Sequence, residues 1–383
     1  MEMEKPSSSQ LSIPSDIALT WKRAKDCPFP KREGQCGCSV GNKMYLFGGV
    51  VQTEDGDLES NDLLCYDAES GCWSKLDTKT PRPEACIAAS LAAVGNKLYL
   101  FGGLNQESGW LGSLHMLDLD TLKWTELTGE GIAPSPRDKL QAAVIDTRIY
   151  YFGGFGPKAT VDDDDDEDWE DEDDEGGVAE VERTQQAAEF GWFNDLYVYD
   201  TLSNKWSQPM HMNLGLPTAR AAHGMCAVGR NLVIFGGRDT EKRTNDLYMY
   251  NIDTRKWNMD MKITGQLPAP RSFHSTTAMG GRVVVVGGRG VDDKHLADLH
   301  VFDTETYQWL QPGVGGDVPA ARGQHSVAVV RDNLVVFGGS SDYDPQTMSC
   351  QKLFSDTYTI LTGDILKGGS TTQVHSGGDG GSS

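Results

Sequence analysis

A short apolar run ending in Gly-Gly recurs six times in this chain of 383 residues, with the second glycine at positions 49, 103, 154, 237, 288 and 339. The successive spacings are 54, 51, 83, 51 and 51 residues, so one unit recurs throughout and the third carries an insertion. A fixed period of this length marks a chain built from one supersecondary unit that stacks on copies of itself. Each unit has the same internal order. A turn with Pro and Arg opens it, as in Pro270-Arg271, and a short apolar strand leads to the run into Gly-Gly. An alternating strand follows, such as Asn245-Asp246-Leu247-Tyr248-Met249-Tyr250, and a strand around a Trp closes the unit. Period-two alternation between turn residues predicts short antiparallel strands. Four of them make a sheet too small to bury both of its faces, and radial stacking hides those faces.

The tryptophans test whether such a ring closes. Trp73, Trp124, Trp206, Trp257 and Trp309 occupy fourth strands, but the last unit ends near Ile360 without one. The sixth is Trp21, ahead of the first Gly-Gly, so Leu19 to Lys22 is predicted to supply the outer strand of the last sheet and remove an open edge. The expected fold is all-β, a six-bladed β-propeller over residues 19–361 whose last blade is closed by an N-terminal strand. The glycine pairs allow a sharp exit through positive φ, and the indole rings fill the gaps between sheets, so both read as structural.

Net charge is −22, and 13 of those charges sit in the 14 positions from Asp162 to Glu175, around Trp169. A block of this kind repels itself, so 156–189 is expected to be a disordered acidic insertion within the third blade. It lacks the spaced ligands and glycine turn of a calcium loop. Residues 1–18 read as a flexible N-terminus and 362–383 as a flexible Gly/Ser-rich tail. No apolar stretch approaches the roughly 18 residues of a membrane span. The start Met1-Glu2-Met3-Glu4 is unlike a secretory signal. An acidic chain is a poor partner for nucleic acid. The expectations are therefore no membrane, no nucleic acid, and a cytoplasmic and/or nuclear location. Eight cysteines with no Cys-x-x-Cys pair and no His at zinc spacing read as reduced thiols, with no metal and no cofactor.

Chemistry is expected on one rim. The loop after Gly-Gly and the connection into the next blade lie on the same side, and loops on a rigid scaffold carry function. Cations concentrate there. Arg32, Arg137, Arg220, Arg271 and Arg322 recur in the opening turns and read as turn anchors. Arg289 and Lys139 add to this rim, and so do Arg238 and Arg243, which do not recur and read as ligand contacts. His223, His274 and His325 each follow an opening Arg by three residues and read as buried, hydrogen-bonded imidazoles. No nucleophile motif, paired-carboxylate site or metal cluster is visible, so the chain is not expected to be an enzyme.

The Gly-Gly pairs, the Tyr–Trp spacing and the period resemble kelch repeats. A finer resemblance lies in Pro217-Thr218-Ala219-Arg220-Ala221-Ala222-His223, in Gly237-Arg238 with Arg243-Thr244-Asn245-Asp246-Leu247, in Arg271-Ser272-Phe273-His274-Ser275, and in Asp138-Lys139-Leu140. These segments are similar to kelch domain-containing proteins 1 and 2, substrate receptors of cullin-2 ubiquitin ligases that read glycine-ended C-termini. The resemblance implies that Arg238, Arg243 and Ser272 clasp a terminal carboxylate, with Lys139 and Phe273 as further pocket positions. It also implies elongin and cullin-2 as partners. Paired donors of a guanidinium suit a carboxylate, and capture of a chain end is an established recognition mode. Such a clasp requires guanidinium groups that face the funnel without neutralisation by the chain's own acids. The alternative is a general kelch scaffold that binds a folded partner through its rim loops, with no ligase link.

Overall fold

Each Gly-Gly run ends the second of four antiparallel strands in the computed structural model, which describes residues 17–158 and 189–367, and the fifth and last sheets carry one additional strand in parallel. In the first sheet Cys36–Val40, Lys43–Phe47, Leu63–Asp67 and Cys72–Leu76 lie side by side in chain order. Sheets starting at Ser90–Val94, Gln141–Ile145, Gly224–Val228 and Ser275–Met279 repeat that order. The apolar second strands are buried on both faces, whereas the outer strand Lys123–Leu127 fully buries only Trp124. Residue type follows from that difference: continuous apolar residues where two neighbouring sheets press, one large ring where the outer gap widens.

The indoles pack as expected between sheets. Trp124 meets Phe47 of the preceding sheet at 5.5 Å between ring centroids, Trp257 meets Phe152 at 6.0 Å, and Trp309 meets Phe235 at 5.0 Å. Trp73 of the first sheet meets Phe337 of the last at 4.4 Å. The glycine pairs have a matching role at the rim. The second glycine gives its N–H to the carbonyl of the next opening turn, as in Gly154 to Arg220 (2.9 Å) and Gly339 to Arg32 (2.9 Å). At Gly153, with φ of +68°, a Cβ would lie 2.6 Å from the Arg220 carbonyl oxygen, so no side chain fits.

The last sheet takes its fourth strand from the N-terminus. Ala18–Arg23 pairs antiparallel with Thr357–Leu361, and Ile17, Leu19 and Trp21 are buried. Its other edge pairs in parallel with Gly313–Gly316. At the channel mouth one residue per unit, Gly34, Ala88, Lys139, Ala222, Phe273 and Gln324, has positive φ. The N–H of each donates to the carbonyl of the one before it, and Gly34 donates to Gln324, with all six bonds between 2.8 and 3.1 Å. The architecture is thus all-β, with the sheet organisation of a β-propeller.

Three expected boundaries move, the first at the N-terminus, where Ile17 is buried and Ala18 already begins the first strand although 1–18 read as flexible. Thr362–Lys367 is a short helix rather than the start of a loose tail, because Ile365 is fully buried and its carbonyl accepts from Arg282 Nη1. The insertion is narrower than 156–189, because Phe155–Pro157 pairs with Phe190–Trp192. The acidic block lies outside the described residues, as do 1–16 and 368–383. All eight cysteines are free thiols, and Cys72 alone is exposed.

Candidate functional site

Buried opening-turn arginines set the frame of the rim. Arg220 is fully buried. Its Nη1 donates to the Gly236 carbonyl (2.9 Å) and Asp246 (2.6 Å), its Nη2 to Asp246 (2.9 Å), and its Nε to the Thr218 carbonyl (3.0 Å). Arg137, Arg271 and Arg322 make the same set with Asp195, Asp298 and Asp356. These guanidiniums tie the turn to the glycine pair and the third strand, as their recurrence predicts. The channel they surround has a volume of about 450 Å³ and is lined by all six inner strands. Lys139 is the one lysine or arginine among its described lining residues, and no Asp or Glu lines it. His223, His274 and His325 stand in its wall, buried and neutral, and His274 Nε2 lies 3.1 Å from the Phe235 carbonyl oxygen.

The five expected site residues do not form one cluster. Lys139 and Phe273 line the channel from the third and fifth units. The Lys139 ammonium is paired with Asp138 and lies 5.9 Å from the Phe155 ring centroid. Arg238 and Arg243 are directly opposite each other near the tip of a hairpin, because Asn231–Arg238 and Arg243–Asn251 continue past the glycine pair through a register shift between Phe235 and Gly237. Arg238 is exposed there, while Arg243 is buried and turns toward the fifth unit.

Arg243 and Ser272 do meet. Arg243 Nε donates to Ser272 Oγ (3.0 Å), Nη1 to the Gly290 carbonyl (2.9 Å) and Nη2 to Asp293 Oδ1 (2.6 Å). Ser272 is fully buried, so its hydroxyl orients Arg243 and is not open to a ligand. The expectation of unneutralised guanidiniums is corrected for Arg243, which already holds a carboxylate of its own chain. The tight turn after Gly290 brings Asp293 back over the guanidinium, and nothing in residue spacing reveals a contact across 50 residues.

Arg289 completes this corner, and sequence reasoning placed it on the rim without assigning it to the site. It pairs with Ser272 across the ribbon Arg271–Ser272/Arg289–Gly290. Its guanidinium lies 3.8 Å from the Tyr343 ring centroid and 5.2 Å from that of Phe273, and its Nε is 3.6 Å from Asp293 Oδ1. Burial and neighbouring Arg243 push its pKa down. Across the mouth Gln324 donates to Glu33 (2.7 Å), whose carboxyl is pushed up by burial. Over the second and third units Trp110, Phe155 and Trp192 pack together, with Phe190 half exposed beside Trp110. Among the described residues no group of three or more His, Cys, Asp or Glu could hold a metal, and no helix is long and apolar enough to cross a membrane.

Repeated antiparallel sheets, buried anchor arginines and a channel lined by six inner strands define a β-propeller domain. The KLHDC2/KLHL20/DRC7 Kelch-repeats domain matches residues 34–168 and 177–374, and the chain belongs to that kelch-repeat family. It is 32% identical over 327 residues to human kelch domain-containing protein 1, covering 82% of this chain and 77% of that protein. It is 29% identical over 329 residues to bovine kelch domain-containing protein 2, with the same coverages. A plant relative, acyl-CoA-binding domain-containing protein 4 of Arabidopsis thaliana, is 27% identical over 312 residues, covering 77% of this chain and 41% of that protein. Kelch repeats of this family are generally non-enzymatic and mediate protein–protein interaction.

Proposed function

We propose that the chain is a six-bladed propeller, closed by its N-terminal strand, that binds the C-terminus of a protein or peptide at the Arg243 corner of its mouth. The head-to-tail cycle of six backbone bonds supports the closed ring. Trp21→Ala tests closure, because it empties a buried inter-sheet site and frees the edge of Thr357–Leu361. The expected loss is about 3–5 kcal/mol in urea unfolding. An unfolding curve unchanged from wild type contradicts it.

One observation carries the binding proposal: Arg243, oriented by Ser272, already grips a carboxylate at 2.6 Å beside the channel. A terminal carboxylate offers the same chemistry, and a small last residue lets it approach. Exposed Arg238 adds long-range attraction, and Lys139 and Phe273 face the rest of the peptide. Arg243→Ala is expected to cost about 2–4 kcal/mol of binding to a glycine-ended peptide, in line with truncation of a buried charged contact. Arg238→Ala costs about 0.2–1 kcal/mol, as for an exposed ion pair. Amidating the peptide end removes as much as Arg243→Ala does. Titration calorimetry with both peptides decides, and equal affinity for acid and amide forms ends this reading. The role extends to substrate capture for an elongin/cullin-2 ligase in cytoplasm or nucleus, which co-purification with those subunits tests.

The half-exposed aromatic group around Trp110 and Phe190 favours a second reading, a folded partner on the rim without a ligase link. Phe190→Ser then weakens that partner and leaves peptide binding intact.

A further inference from the structure

Asp293 is held as a ligand would be held. Its Oδ1 lies 2.6 Å from Arg243 Nη2 and 3.6 Å from Arg289 Nε, between two guanidinium groups carried by different units. The other bonded donors of Arg243 go to the framework, to Ser272 Oγ and the Gly290 carbonyl, so Nη2 is the one that meets the acid. Arg289 is fixed between two aromatic rings, and its buried Nε makes no hydrogen bond. The Asp293 side chain is 38% exposed while that of Arg243 is 7% exposed, so the acid lies over the cation on the solvent side. Asp293 itself sits at φ of +62° in a short turn closed by Gly290 N–H to the Lys294 carbonyl (2.9 Å) and Asp293 N–H to the Gly290 carbonyl (3.1 Å).

We propose that Asp293 is a resident carboxylate that occupies the Arg243–Arg289 pair and that an incoming chain end must displace, which makes Asp293 the residue that sets how tightly C-termini bind. This rests on the chain-end reading above and adds Arg289 as the second guanidinium of the site. Tethered to its turn, Asp293 makes a single hydrogen bond to Arg243. An untethered carboxylate can accept from Arg243 Nη2 with one oxygen and from Arg289 Nε with the other, two charge-assisted hydrogen bonds in place of one. Displacement therefore exchanges one short bond for two, and the turn moves without breaking the Arg271–Ser272/Arg289–Gly290 pairing below it.

Asp293→Gly removes the carboxylate at a backbone conformation that glycine adopts without strain. Asp293→Asn keeps the shape, removes the charge and tolerates positive φ, so it carries the test if the glycine variant is poorly folded. A resident acid that fills the site nine-tenths of the time lowers apparent affinity about tenfold, so both variants bind a peptide ending in Gly-Gly about tenfold more tightly than wild type, and the amidated peptide gains nothing. N-acetylglycine at millimolar concentration raises the melting temperature of Asp293→Gly but not that of wild type, and N-acetylglycinamide raises neither. Equal peptide affinity in wild type and both variants overturns the proposal and leaves the chain-end reading standing. Failure of wild type and both variants to bind either the peptide or N-acetylglycine ends the chain-end reading and this proposal with it.

Discussion

Lowering the pH from 7 to 5 is expected to reduce the unfolding free energy by about 4 kcal/mol through His223 and His325 alone, with His274 acting in the same direction. His223, His274 and His325 are buried beside the opening arginines. Burial first, and then Arg220 and Arg322, push His223 and His325 down to about 3. His274 lies well below its ordinary value for the same reasons, with Arg271 as its charged neighbour. In the unfolded chain each imidazole titrates near 6.5, so protons bind the unfolded state first. Their contribution is complete above that value and falls by about 1.4 kcal/mol per pH unit per histidine until the folded pKa is reached. At pH 5 His223 and His325 have each lost about 2 kcal/mol. Urea unfolding at pH 7, 6 and 5 measures this. His325→Gln should reduce the loss by about 2 kcal/mol, because its linked proton is gone. Carboxylates titrate in a separate window. Burial of Asp298 is outweighed by Arg271 and His300, which hold its pKa low, so its contribution is present above about pH 4 and disappears only below it. A flat stability between pH 7 and 5 would mean that the imidazoles are hydrated in solution.

The period and the tryptophans made the sheets legible because both are requirements of the stack. A residue that must fill the gap between two sheets appears once per unit, so Trp73 and Trp309 declare themselves in the sequence. Trp21 is the informative one, since its place ahead of the first Gly-Gly predicted the pairing of Ala18–Arg23 with Thr357–Leu361. Departures from the repeat were illegible. Gly236 and Gly237 look like the other glycine pairs, yet there the strands run on to Arg238 and Arg243. Whether pairing continues past a glycine depends on what the opposite backbone offers, which composition does not record. The helix Thr362–Lys367 is too short to show a period, and the burial of Ile365 with the Arg282 bond to its carbonyl accounts for it. The site itself was half legible. Arg243 and Ser272 stand out as residues, but their relation to Asp293 is a contact between loops of different units.

Arg220→Ala is expected to destabilise the fold by about 3–5 kcal/mol, the range for removing one partner of a buried ion pair. Arg238→Ala, 18 positions along, should stay within about 0.5 kcal/mol of wild type, as surface substitutions do. On composition alone the two residues are alike: both are rim arginines on an acidic chain. Their surroundings separate them. Arg220 is fully buried and satisfies the Gly236 carbonyl, both oxygens of Asp246, and the Thr218 carbonyl and hydroxyl. Its guanidinium carbon also lies 5.2 Å from the Tyr248 ring centroid. Truncation leaves the buried Gly236 carbonyl without this donor and Asp246 without its cation. The exposed side chain of Arg238 leaves nothing unsatisfied when removed. Arg220→Lys separates charge from geometry. A lysine keeps the cation but cannot serve two Asp246 oxygens and two backbone carbonyls from one fork, so most of the loss should remain. Full recovery by lysine would mean that charge alone anchors the turn. In that case the recurrence of arginine in five of the six opening turns would need a source other than the planar fork.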